Sequence, residues 1–120
     1  MSLKANITHE GDVTIVELQG KLNFENQQDL RSSLADILLA GRPVVVDMND
    51  LDFIGSSGVT NFIQTIREVS QEVGATPRFC NVSREFRKIM HAFRINQEMI
   101  HDTRADATAG FFRSGANERN

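Results

Sequence analysis

The chain has 120 residues, 40% hydrophobic and 24% charged, a size that fits one core and a composition unlike that of disordered chains. Its 13 Lys and Arg against 16 Asp and Glu leave a net charge of -3, which gives no global electrostatic footprint for nucleic acid or an anionic membrane. One cysteine cannot form an internal disulfide, three scattered histidines make no zinc pattern, and no apolar run reaches the length of a signal peptide or a bilayer span. The expectation is a cytoplasmic protein without metal or cofactor, inserted in no membrane.

Leu3 to Thr8 and Val13 to Leu18, flanking Glu10-Gly11-Asp12, read as a hairpin. Gly20-Lys21-Leu22-Asn23 is read as a break after the second strand, with Asn23 placed to cap a helix whose stripe is Leu30, Leu34, Ile37 and Leu38. Pro43 then introduces Val44-Val45-Val46, a continuous apolar run that suits a strand buried on both faces. Asp47 to Asp52 resembles a calcium loop only superficially, because Leu51 and Asp52 stand where a ligand and a glycine are needed; it reads as a solvated acidic loop.

Ser56 or Ser57 is expected to cap the next helix, whose stripe is Val59, Phe62, Ile63, Ile66, Val69 and Val73. Arg78 to Val82 reads as a strand, and Ser83 as the cap of a helix with the stripe Phe86, Ile89, Met90 and Phe93. Glu98 to Ile100 is a short last strand. Thr103-Arg104-Ala105-Asp106 has the form of a capping box. The order gives an α/β fold, a mixed sheet of four to five strands covered by about four helices, with one domain over residues 1–112 and a polar, disordered tail over 113–120.

Phe53-Ile54-Gly55-Ser56-Ser57-Gly58-Val59 is the most unusual stretch. At a strand-to-helix turn, hydroxyls and free amides face an end of the helix dipole that favours anions. The serines serve there either as simple caps, with Gly58 allowing close packing, or as a functional site. Enzyme motifs fail: the glycines are one residue too close for a nucleophile elbow, and Val59-Thr60 stands where a P-loop needs Lys-Ser/Thr. No histidine is patterned to activate a serine. Cys80 reads as a small buried residue, and His91 and His101 as surface or core-edge residues. Arg84, Arg87 and Lys88 share a helix face, either solvated or a contact for an acidic partner.

Three segments in register resemble one family. Val44 to Val59 is similar to the central signature of STAS domains, specifically bacterial anti-sigma factor antagonists of the SpoIIAA type. Leu18-Gln19-Gly20-Lys21-Leu22-Asn23 resembles their Gly-x-Leu-Asp element, and Gly74 to Ser83 their fourth strand and turn. The resemblance implies a non-enzymatic partner switch. Such a protein binds an anti-sigma factor that is also a serine kinase, is phosphorylated by it on the first serine of Asp-Ser-Ser/Thr-Gly, and is restored by a phosphatase. Carried over, the phosphorylated residue is Ser56, and the partner surface is Asn23, Gly55, Ser56, Ser57, Gly58 and Thr60. A monomer or weak dimer is expected.

Two positions depart from the family pattern: Gly55 replaces the Asp before the serine, and Asn23 replaces the Asp of the earlier element. Either the kinase recognises this loop differently, or the protein binds its partner constitutively. The alternative is a non-phosphorylated STAS subunit of a membrane lipid transporter, docking onto its ATPase.

Overall fold

Gly11 and Asp12 close a two-residue turn between β1 (Leu3–Glu10) and β2 (Val13–Leu22), with Gly11 at φ +63°. A hairpin turn that opens on a left-handed residue favours glycine there, because no Cβ resists that angle. In this computed structural model, which describes residues 3–22, 25–53, 55–95 and 97–118, the chain continues through α1 (Gln27–Leu39), β3 (Val44–Phe53), α2 (Gly55–Val73), β4 (Arg78–Cys80), α3 (Arg84–Ala92), a 3-10 turn at Gln97–Met99, β5 (Ile100–His101) and α4 (Arg104–Glu118). The five strands form one sheet in the order β1-β2-β3-β4-β5. β1 is antiparallel to β2, and every later pair is parallel.

That order decides where the helices lie. Successive parallel strands that are also neighbours need crossover connections of one hand, which puts α1, α2 and α3 on the same face of the sheet. The side chains agree. Val16, Leu18, Leu22, Val44, Val46, Met48 and Phe79 pack against Leu30, Leu34 and Leu38 of α1, Val59, Phe62, Ile63, Ile66 and Val69 of α2, and Phe86 and Met90 of α3. The alternate residues Val13, Ile15, Val45 and Cys80 turn to the other face and meet Ala107 and Phe111 of α4. Strands covered on both faces explain the unbroken valine run.

The mixed sheet and its four helices follow the sequence reading, and the differences lie at element ends. β2 is not broken at Gly20. It runs to Leu22, and Gly20, Lys21 and Leu22 pair with Leu51, Asp52 and Phe53. α1 begins at Gln27 with Asn26 before it, three residues later than a cap at Asn23 requires; Asn23 itself lies outside the described residues. Asp47 to Phe53 is not a solvated loop but the second half of β3. α2 begins at Gly55, so Ser56 and Ser57 sit within its first turn rather than capping it. β4 stops at Cys80 because Asn81 takes φ +56°, a conformation asparagine tolerates better than most residues. β5 is Ile100–His101, with the 3-10 turn over the residues before it. α4 remains helical to Glu118, through most of the segment read as a disordered tail.

Candidate functional site

The carboxyl ends of β3 and β4 and the amino ends of α2 and α3 meet at one edge of the sheet, and this edge carries the unusual stretch. Its geometry starts with an irregularity in β3. Between Glu17 and Gln19 β2 advances two residues, while its partner advances three, from Asp47 to Asp50. One extra residue therefore bulges from β3 at Met48–Asn49. Asp47 Oδ1 accepts from the Asn49 backbone N–H at 3.0 Å and from Asn81 Nδ2 at 3.0 Å. Asp47 Oδ2 accepts from Arg104 Nη2 at 2.9 Å, and the same Nη2 lies 3.1 Å from Glu17 Oε2. One carboxylate thus joins the bulge, the turn after β4 and the first residue of α4.

Asp47 is 6% exposed. Burial by itself pushes its pKa up, but the bonds from Asn81, Arg104 and the Asn49 amide, with the charge of Arg104, hold it below the usual aspartate value. The Asp47 bond in turn raises the pKa of Arg104. Next to Asp47 on β4, the buried Cys80 thiol is pushed up to about 12 by desolvation and then by the Asp47 charge. It is no nucleophile at neutral pH.

On the helical side of this edge lies a groove of about 580 Å³. Met48, Leu51, Val59, Phe86 and Ile89 line its apolar part, and Asn49, Asp52, Asn81, Ser83 and Glu85 the polar part. Ser83 caps α3 as expected, its Oγ accepting from the Phe86 N–H at 3.1 Å. The groove thus opens between two helix N-termini, beside the backbone that carries Ser56.

The sequence-derived site residues fall as follows. Gly55, Ser56 and Ser57 form the opening of α2, and their side chains lie outside the described atoms. Gly58 is buried, and Thr60 is half-buried. A Cβ built on Gly58 would meet the Leu22 carbonyl oxygen at 3.5 Å, an ordinary van der Waals separation. Close packing therefore does not require a glycine here. Among the described residues no group of three His, Cys, Asp or Glu is placed to hold a metal.

Arg87 does not join a free basic patch with Arg84 and Lys88, because its Nη2 bonds Asp102 at 3.0 Å. His91 is exposed and His101 is half-buried. His101 Nε2 lies 3.0 Å from Arg78 Nη1, which also donates to the Glu98 carbonyl at 2.8 Å. Arg78 stacks over the Phe111 ring at 4.9 Å. Sequence reading missed the Asp47–Arg104–Glu17–Asn81 network. Its signal was the parity of Asp47, one step beyond an apolar run in strand phase and so bound for a covered face.

Comparison with known proteins places these features in company. The family model described as the STAS domain matches residues 4–107. The anti-sigma-F factor antagonist RsfA of Mycobacterium tuberculosis is 30% identical over 94 residues, covering 76% of this chain and 73% of that one. Two solved structures share the fold. An anti-sigma factor antagonist from Mycobacterium paratuberculosis superposes with a TM-score of 0.68 at 17% identity, over 90% of this chain and 92% of that one. The Bacillus cell fate determinant SpoIIAA in its phosphorylated form superposes with a TM-score of 0.63 at 20% identity, over 90% and 97%.

Proposed function

The chain belongs to the STAS domain family, and from that premise we propose that it is an anti-sigma factor antagonist that works by partner switching, with Ser56 as the phosphorylated residue. The observation that carries the reading is the 30% identity over 94 residues to a protein that bears that name. The position of Ser56 in the first turn of α2, after the bulged end of β3, supports its place in the mechanism.

A phosphoserine carries about -1.5 to -2 charges at neutral pH. The first turn of α2 holds no acidic residue, so the free amides there accommodate the added charge and the domain stays folded. The partner does not share that tolerance. A surface shaped for a neutral hydroxyl must desolvate a dianion without a cation to receive it, and that penalty releases the partner. Gly55, Ser56 and Ser57, with Thr60 one turn further on, form the contact surface, and the neighbouring groove receives side chains of the partner. Phosphate transfer belongs to the anti-sigma factor kinase and removal to a phosphatase; this chain is substrate and ligand, and catalyses neither step.

Titration calorimetry against the serine-kinase anti-sigma factors of the source genome tests the reading. Ser56→Ala is expected to bind within a few-fold of the natural protein and to accept no phosphate. Ser56→Asp is expected to bind at least about tenfold more weakly, about 1.4 kcal/mol or more. Equal binding by Ser56→Asp overturns the charge-operated switch and favours a constitutive STAS subunit docked on a transporter ATPase, a reading that Gly55 in place of an acidic residue also suits.

A further inference from the structure

We propose that the open edge of β1 pairs with β1 of a second copy of this chain, joining two five-stranded sheets into one ten-stranded sheet about a two-fold axis through Ile7. The inference is independent of the antagonist reading.

β1 bonds β2 on one side, and among the described residues no strand lies on its other side. Its pairing with β2 steps regularly from Leu3 opposite Gly20 to Glu10 opposite Val13, without a bulge. Eight straight residues with no proline form a template for another strand. The strand also carries Ile7, 49% exposed and one of two large hydrophobic residues left in solvent among those described.

The hairpin fixes which backbone groups point outward. A two-residue turn makes Glu10 and Val13 a bonded pair, and bonding alternates along an antiparallel ladder. Lys4, Asn6, Thr8 and Glu10 therefore spend their N–H and C=O groups on β2. Ala5, Ile7 and His9 present theirs to the open edge. A second β1 must set these odd positions against its own odd positions, so the two-fold axis passes through a residue, not between two. Centred on Asn6, Lys4 faces the copy's Thr8 and Glu10 faces no residue of the strand. Centred on Thr8, Glu10 faces Asn6 and Lys4 has no strand partner.

Only the register centred on Ile7 matches the chemistry. Ile7 then meets Ile7 in a doubly bonded pair, and Ala5 meets His9 twice. Lys4 meets Glu10 twice, on the opposite face. The faces are consistent with the fold: Ile7 stands opposite Val16, which is buried under the helical layer, and Glu10 stands opposite Val13, which is buried under α4. Opposite charges directly across a ladder attract and like charges repel. The pairing is isologous, so each substitution acts twice. A single pair of strands covers less area than a standard interface, and the dimer is accordingly weak.

Sedimentation equilibrium of the full chain from about 1 μM to about 1 mM tests this. The natural protein should show a reversible monomer–dimer equilibrium that weakens with added salt. Lys4→Glu, which sets glutamate against Glu10 at two places, should raise the dissociation constant by about tenfold or more. Glu10→Lys should do the same. The double exchange Lys4→Glu/Glu10→Lys should return it to within about threefold of the natural value. Circular dichroism confirms that each variant is folded. A natural protein that stays monomeric to 1 mM overturns the proposal. So does a dimer indifferent to Lys4→Glu, or a folded double exchange that stays monomeric.

Discussion

Asp47 satisfies three donors with two oxygens, and its lowered pKa gives that arrangement a pH signature. A carboxylate whose pKa is depressed on folding adds stability that is fully present above the unfolded value and is lost as pH falls through the folded one. Asp47→Asn should therefore cost about 2 kcal/mol near neutral pH. The gap to the natural protein should close as pH falls below the ordinary value of 3.8. Urea titrations between pH 7 and pH 3 check this, and a gap that widens on acidification contradicts it. Cys80 gives a second residue-scale test: buried, with its thiol pushed up to about 12, it should resist a disulfide reagent at pH 8 until denaturant opens the sheet. At Gly58, where a methyl group meets only an ordinary contact, Gly58→Ala should stabilise α2 by about 0.5–1 kcal/mol in thermal or denaturant melts.

Among the helices, α2 contributes most to the core, and Phe62 is its largest fully buried side chain. It packs at 5.8 Å between ring centroids against Phe86 of α3 and so couples two helices to the sheet. Phe62→Ala should cost about 3–5 kcal/mol, because the cavity cannot collapse from both sides; a loss below about 1 kcal/mol in denaturant melts contradicts that packing. α1 is tied to α2 by polar contacts as well. Gln27 Nε2 donates to the Asn61 carbonyl at 3.1 Å and to Thr65 Oγ1 at 2.8 Å, and Arg31 bridges Glu68 and Glu72. The helical stripes were legible because period and burial are the same fact seen twice: Leu30, Leu34 and Leu38, then Phe86 and Met90, lie where spacing put them. The caps at Ser83 and Thr103 were legible too, with the Asp106 N–H donating to Thr103 Oγ1 at 3.1 Å.

What escaped the reading becomes plain at the scale of the whole molecule. Alternation of apolar and polar residues defines a strand only while its register is unbroken. Asp47 to Asp52 carries three acids in six residues and reads as a loop. Yet Asp47 is neutralised by Arg104 from fifty-seven positions away, a distance over which no local pattern speaks. Gly20 likewise reads as a stop, although its partner Leu51 belongs to another strand. Gly110 has a tertiary reason that its helix hides: a Cβ there would approach Arg78 Nη1 and His101 Cε1 at 3.1 Å each. Gly110→Val is therefore expected to loosen α4 from the sheet, with faster amide exchange in α4 than in α2 as the measurement.

The extra residue in β3 also gives that strand a phase. Val44, Val46 and Met48 face the helical layer, and after the bulge the same layer is served by Leu51. Counting in twos from Met48 lands on Asp50 instead. A deletion of one residue between Met48 and Leu51 thus removes the bulge and leaves the phase whole: Leu51 would follow Met48 by two positions and still face the helical layer. A deletion of two residues there acts instead as a frameshift written in space: it would aim Leu51 at the α4 side and offer Asp52 to the helical layer. One residue can be lost here where two cannot, so the strand should tolerate length changes by parity counted from the bulge rather than by size.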